Sequence, residues 1–171
     1  MKKLLLYIVV IVISTSFTDV PREFDIDQQH VLHLVNNLRA RGCYCGDTFM
    51  RPVGPLKWDK DLYRSAVSHA KEMERFRYFS HYNKNGQDIG ERLDLMGYEW
   101  QVAGENLGEG QRNFTEVLGD WKDSKSHCKM LMNGKVKDMA VARFGKYWVQ
   151  HFGKRLPPNA IVSKTITKTP E

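Results

Sequence analysis

The sequence has no apolar run long enough to cross a bilayer, which takes roughly 20 residues; the longest, Leu4 to Ile13, holds ten. It has no basic stripe either. Its 26 Lys and Arg are scattered among 20 Asp and Glu, so the clustered positive face of a nucleic-acid-binding module is not predicted. Two common hydrolase signatures are missing: there is no His-Glu-x-x-His helix and no Gly-x-Ser-x-Gly elbow. Repeats and low-complexity tracts are absent. Cysteine is scarce, with only Cys43, Cys45 and Cys128, and their spacing matches no common zinc ribbon or finger.

What is present describes one globular domain. A chain of 171 residues can bury a proper core, and 42% hydrophobic with 11% aromatic residues is a globular composition. Lys2 and Lys3 precede the Leu4–Ile13 run, and Ser14, Thr15 and Ser16 follow it. A positive start, a short apolar stretch and small residues read as a secretory signal over residues 1–18, with a retained membrane anchor as the competing reading. The mature chain is then secreted, periplasmic or extracellular, has no transmembrane segment, and carries a net charge lowered from +6 to about +4.

Export favours a disulfide, and an odd cysteine count leaves one thiol over. A bridge from the Cys43/Cys45 segment to Cys128 closes a loop of about 83 to 85 residues, for which chain entropy predicts about 4–5 kcal/mol. The competing use of these residues is a zinc site built from Cys43, Cys45, His127 and Cys128.

Hydrophobic spacing predicts a helix over 26–40, from Ile26, Val31, Leu34, Val35 and Leu38. A long Gly- and Pro-broken loop follows from Cys43 to Trp58. The next helix runs from about 59 to 77, capped by Asp59, with Leu62, Ala66, Ala70 and Met73 on its inner face. A short helix over 89–96 ends at Gly97, and Val102 to Leu107 reads as extended. Asn113 with Glu116 three residues on marks another helix start, leading through Trp121. Residues 139–144 and 147–152 alternate as a hairpin about Gly145 and Lys146. The Pro-, Lys- and Thr-rich residues 154–171 read as a flexible tail. The domain proper is thus expected over 26–153, and its class is mixed α+β.

Four segments carry a resemblance: Tyr78-Phe79-Ser80-His81, Gly104-Glu105-Asn106-Leu107, Trp121 followed by Ser126-His127-Cys128, and Tyr147-Trp148-Val149-Gln150. In order and spacing they resemble the bacterial branch of the CAP superfamily, which includes cysteine-rich secretory proteins and pathogenesis-related protein 1. The resemblance spans about residues 27–153. It implies a three-layer α–β–α sandwich with a small central antiparallel sheet and a cleft bearing two histidines and two acids. On this chain those positions are His81, Glu91, Glu105 and His127. The resemblance also implies a Cys45–Cys128 disulfide, with Cys43 spare.

Two imidazoles, His81 and His127, with a nearby carboxylate could bind zinc or another divalent cation, leaving a position open. A second carboxylate could orient an imidazole through its other ring nitrogen. No residue is assigned a catalytic role, because hydrolysis also needs an activated water, a proton acceptor and electrophilic stabilisation. Three readings follow. One is an extracellular binding module for a metal ion, a lipid or sterol, or a peptide; one is a metal-dependent hydrolase of peptide or cell-envelope substrates; one is a structural or adhesive surface protein with a vestigial cleft. The remaining histidines, His30, His33, His69 and His151, are read as structural, and the four tryptophans as packing.

Overall fold

The computed structural model describes residues 26–157 and 165–168; the signal expected at 1–18 lies outside them. Helix α1 (Gln28–Arg41) starts where the Asp27 side chain accepts from the Gln29 and His30 amides. It stops at Gly42, whose φ of 72° is left-handed. Helix α2 (Lys60–Phe76) is capped by Asp59 as predicted, with Leu62, Ala66, Ala70 and Met73 completely buried. It ends at Arg77, the one described non-glycine residue with positive φ. Helices α3 (Ile89–Leu95) and α4 (Phe114–Asp123) begin at Asp88 and Asn113, each accepting from the amide three residues on.

The strands are β1 (Cys43–Cys45), β2 (Thr48–Met50), β3 (Lys57–Trp58), β4 (Trp100–Glu109), β5 (Asp138–Phe144), β6 (Tyr147–Arg155) and β7 (Thr165–Lys168). The main sheet runs β3-β5-β6-β4-β7. Its three inner strands are antiparallel, but β3 joins β5 and β7 joins β4 in parallel, so the sheet is mixed.

Alternation along the strands separates the layers. Val102, Met139, Val141, Trp148 and Phe152 face α1, α4 and a fifth helix, α5 (Lys125–Leu131), and form one core. Ala103, Leu107, Ala140, Ala142 and Val149 face α2 and α3 and form the other. This is the expected three-layer α–β–α sandwich.

Three elements differ from expectation. The loop after α1 contains the β1–β2 hairpin, turned at Gly46 with φ 60°. Helix α5 follows α4 with only Ser124 between them, and its seven residues are too few to display a clear period. The third difference lies in the tail, where β7 pairs with residues 102–105 of β4. Its Thr-Ile-Thr stretch has the β-branched composition of a strand, but such a short edge strand forms only where a partner is on offer.

Candidate functional site

Glu105 occupies the middle of β4, on the face toward α2 and α3, and is completely buried. Burying a carboxylate is costly unless its oxygens are paired. Here Oε1 accepts from His81 Nδ1 at 2.6 Å, and Oε2 accepts from Arg92 Nη2 at 2.5 Å and His151 Nε2 at 2.7 Å. An ionised carboxylate only accepts, so these contacts put the His81 proton on Nδ1 and the His151 proton on Nε2. Burial pushes the Glu105 carboxyl up, but the Arg92 charge and the two histidine hydrogen bonds outweigh it and hold it well below the usual range.

Each partner arrives from a different element. His81 lies in the turn that begins beyond α2, after the left-handed break at Arg77. His151 sits on β6, directly across the ladder from Glu105. Arg92 comes from the buried face of α3, and its Nη1 also donates to the carbonyls of His81 at 2.8 Å and Gln87 at 3.0 Å. One guanidinium therefore fixes both the acid and the backbone of the histidine that the acid orients. Nearby on α2, His69 Nε2 donates to the Ser80 carbonyl at 2.9 Å. Its pKa is pushed down to about 4, chiefly by burial.

His127 approaches β4 from the opposite face. It lies half-buried on α5, its Nδ1 is 2.8 Å from Ser124 Oγ, and its carbonyl accepts from Asn106 Nδ2 at 3.4 Å. Helix α5 comes this close because β4 has a glycine there: a Cβ on Gly104 would stand 2.5 Å from Met130 Sδ. His81 and His127 thus address consecutive residues of one strand, Glu105 and Asn106, whose side chains point to opposite faces. Burial, and then the neighbouring His81, lower the His127 pKa.

Glu91 has a different position. It is exposed, accepts from the Asp88 amide at 2.9 Å, and completes the capping box of α3. Its neighbour Arg92 faces inward instead, because adjacent helical residues differ by about 100° in direction. The structure therefore brings His81 and Glu105 into contact, sets His127 beside Asn106, the next residue of β4, and places Glu91 on the outer side of α3.

The sequence motifs give Arg92, His151 and Ser124 no role at this site. The first two had a signal. Arg92 lies three residues after Ile89 on the α3 face that also holds Leu93, and His151 is in phase with Tyr147 and Val149. A polar residue in the phase of a buried stripe requires a partner inside.

The disulfide is Cys45–Cys128, with Cα atoms 5.3 Å apart and Cys43 free. Among the described residues, the one trio of His, Cys, Asp or Glu with ligand atoms all within 4.8 Å is Cys43, Cys45 and Cys128, a cluster that could hold a metal ion. In the bridged form two of those sulfurs are not thiolates, and thiolate is the ligating state. No described helix is long and apolar enough to cross a membrane.

The model for the cysteine-rich secretory protein family, CAP, matches residues 32–152. Two Bacillus subtilis proteins are similar in sequence. The uncharacterized membrane protein YlbC is 27% identical over 128 residues, 75% of this chain and 34% of that protein. The uncharacterized protein YkwD is 26% identical over 141 residues, 81% of this chain and 51% of that protein. The chain thus spans between a third and about half of the curated relatives it matches. Among solved structures, an extracellular SCP-domain protein of Bacillus anthracis is 28% identical with a TM-score of 0.66, covering 74% of this chain and 40% of its own. An outer surface protein of Borrelia burgdorferi shares the fold at 19% identity, with a TM-score of 0.64 over 80% of this chain and 100% of its own.

Proposed function

Because the chain belongs to the cysteine-rich secretory protein (CAP) family, we propose that it is a secreted, non-catalytic binding module whose ligand site lies where His81 and His127 flank β4. One observation carries this reading: both imidazoles are oriented through Nδ1, by Glu105 and by Ser124. A histidine whose Nδ1–H is held by a carboxylate presents Nε2 as a basic, fixed ligand, the usual arrangement around a protein-bound cation, and the Ser124 hydroxyl can hold His127 in the same tautomer.

The donor set suits zinc or a similar divalent ion. The two imidazoles would hold it, and water or a polar group of the ligand would fill the other positions. Among the described residues, His81 and His127 belong to no trio of His, Cys, Asp or Glu whose ligand atoms lie within 4.8 Å of one another. The site would therefore bind its ion more weakly than a closed structural site. A lipid headgroup or a peptide carboxylate could complete the shell.

The hydrolase reading needs a carboxylate able to take a proton from water. Glu105 is held by three donors and has a strongly depressed pKa, so it is a poor base. Binding therefore fits the geometry better than turnover. Secretion rests on the signal read at 1–18, and intact-mass measurement of exported protein checks its removal.

The decisive measurement is calorimetric zinc titration of the mature protein beside a folded His81→Ala, His127→Ala double variant. Saturable heat in the first and none in the second is expected. Identical curves would remove the cation from the proposal. If that variant also leaves stability and phenotype unchanged, the cleft is vestigial, as in the adhesive reading.

A further inference from the structure

Cys43 and Cys45 are two residues apart on β1, so both side chains project from the same face of the strand, toward α5. Between them Tyr44 points away and is 67% exposed. Cys45 bonds Cys128, and the Cys43 thiol lies 3.6 Å from Cys128 Sγ, in van der Waals contact with a disulfide sulfur. Cys45 and Cys128 are both 0% exposed, packed with Met132 and beside Leu38, Met50 and Val53. Cys43 is half-exposed. Of the three cysteines, Cys43 alone has solvent exposure.

We infer that the three cysteines form an internal thiol–disulfide exchange site, in which Cys43 carries a buried disulfide to where small external thiols can reach it. The Cys43 thiolate attacks Cys128 Sγ, a Cys43–Cys128 bond forms, and the Cys45–Cys128 bond breaks. Cys45 leaves as a thiolate and takes up the proton that Cys43 lost. Neither oxidant nor reductant is consumed. In the exchanged form one disulfide sulfur is that of Cys43, and an external thiolate can attack it. That attack leaves a mixed disulfide on Cys43 and a free thiol on Cys128; a second external thiol releases Cys43 and ends as the oxidised small-molecule disulfide.

The apolar setting sets the rate. Burial pushes the Cys43 thiol up, with nearby Lys122 opposing. Little thiolate is present at neutral pH, and exchange should quicken by up to about tenfold per pH unit until the thiol has ionised.

Chymotrypsin tests the migration, because cleavage after Tyr44 separates Cys43 from Cys45. The full chain is held near pH 8.5, quenched in acid, alkylated and mapped. Peptides joined through Cys43–Cys128, with alkylated Cys45, are expected beside the Cys45–Cys128 species. Reduction by glutathione should then be at least about tenfold slower in Cys43→Ser than in the unaltered protein. A Cys45→Ser variant, oxidised, should close Cys43–Cys128. A map showing only Cys45–Cys128 at all times, with equal reduction rates in Cys43→Ser, overturns the inference. The map of the unaltered protein decides the matter even if a variant fails to fold. Zinc binding at the histidines is independent of each of these outcomes.

Discussion

Glu105 and His151 face each other across the β4–β6 ladder, 46 residues apart in sequence, and their side chains meet at 2.7 Å in the buried core. The histidine is therefore part of the solvation shell that lets a carboxylate stay ionised without water. Burial lowers the His151 pKa, although the hydrogen bond to Glu105 opposes it. A neutral ring donating through Nε2 is enough.

Removing the acid should unmask the cost of the cluster. Glu105→Gln leaves the Arg92 guanidinium buried without its counter-charge. Breaking a buried pair in this way costs about 3–5 kcal/mol. Urea unfolding near neutral pH should show the midpoint falling accordingly.

Arg92→Met should be comparably damaging, by about 3–5 kcal/mol, and should also loosen residues 81–88, because Arg92 holds the carbonyls of His81 and Gln87. Hydrogen exchange over that segment is the readout. Protection unchanged from the parent would contradict the bracing role.

Acid should weaken the fold in two stages. His69 has its folded pKa depressed to about 4 by burial, against about 6.5 unfolded. Its contribution is therefore complete above about pH 6.5 and is lost as pH falls toward 4, amounting to about 3 kcal/mol. Glu105, also depressed, contributes above its unfolded value of about 4.3 and loses that contribution as pH falls further. Urea midpoints measured downward from neutral pH should decline along this course, and His69→Gln should flatten the upper stage.

Ser124→Ala removes the oxygen 2.8 Å from His127 Nδ1 without touching the ring nitrogen proposed to bind. Loss of such an orienting partner typically weakens metal affinity about 10–100-fold. Calorimetry should show that loss with the thermal midpoint little changed.

Gly104→Ala places a methyl group 2.5 Å from Met130 Sδ and 3.2 Å from the Thr167 carbonyl. Overpacking of this kind costs about 1–3 kcal/mol. It should also shift the His127 resonances in NMR spectra, because α5 carries that ring.

How much was legible depended on the range of each signal. Asp59 and Asn113 announced their helices because a cap acts on amides two or three residues away. The 144–147 turn was equally visible in a break of alternation at Gly145. His81 and Glu105 could be named from a family resemblance. Their contact could not be derived locally, since it depends on how the turn beyond α2 lies over β4. Glu91 shows the limit of position alone: one residue of helical rotation separates it from Arg92, which is buried instead.

The amino-acid order by itself determined the apolar phases, the caps and the turns, because these arise from neighbours within a few residues. Tertiary structure alone decided that Arg92 and His151 share one carboxylate, that Thr165–Lys168 becomes an edge strand, and that Cys43 touches a disulfide it does not join. Each of those depends on strand register or layer packing between distant segments. A buried polar group finds whichever partner that packing supplies, and no local period encodes it.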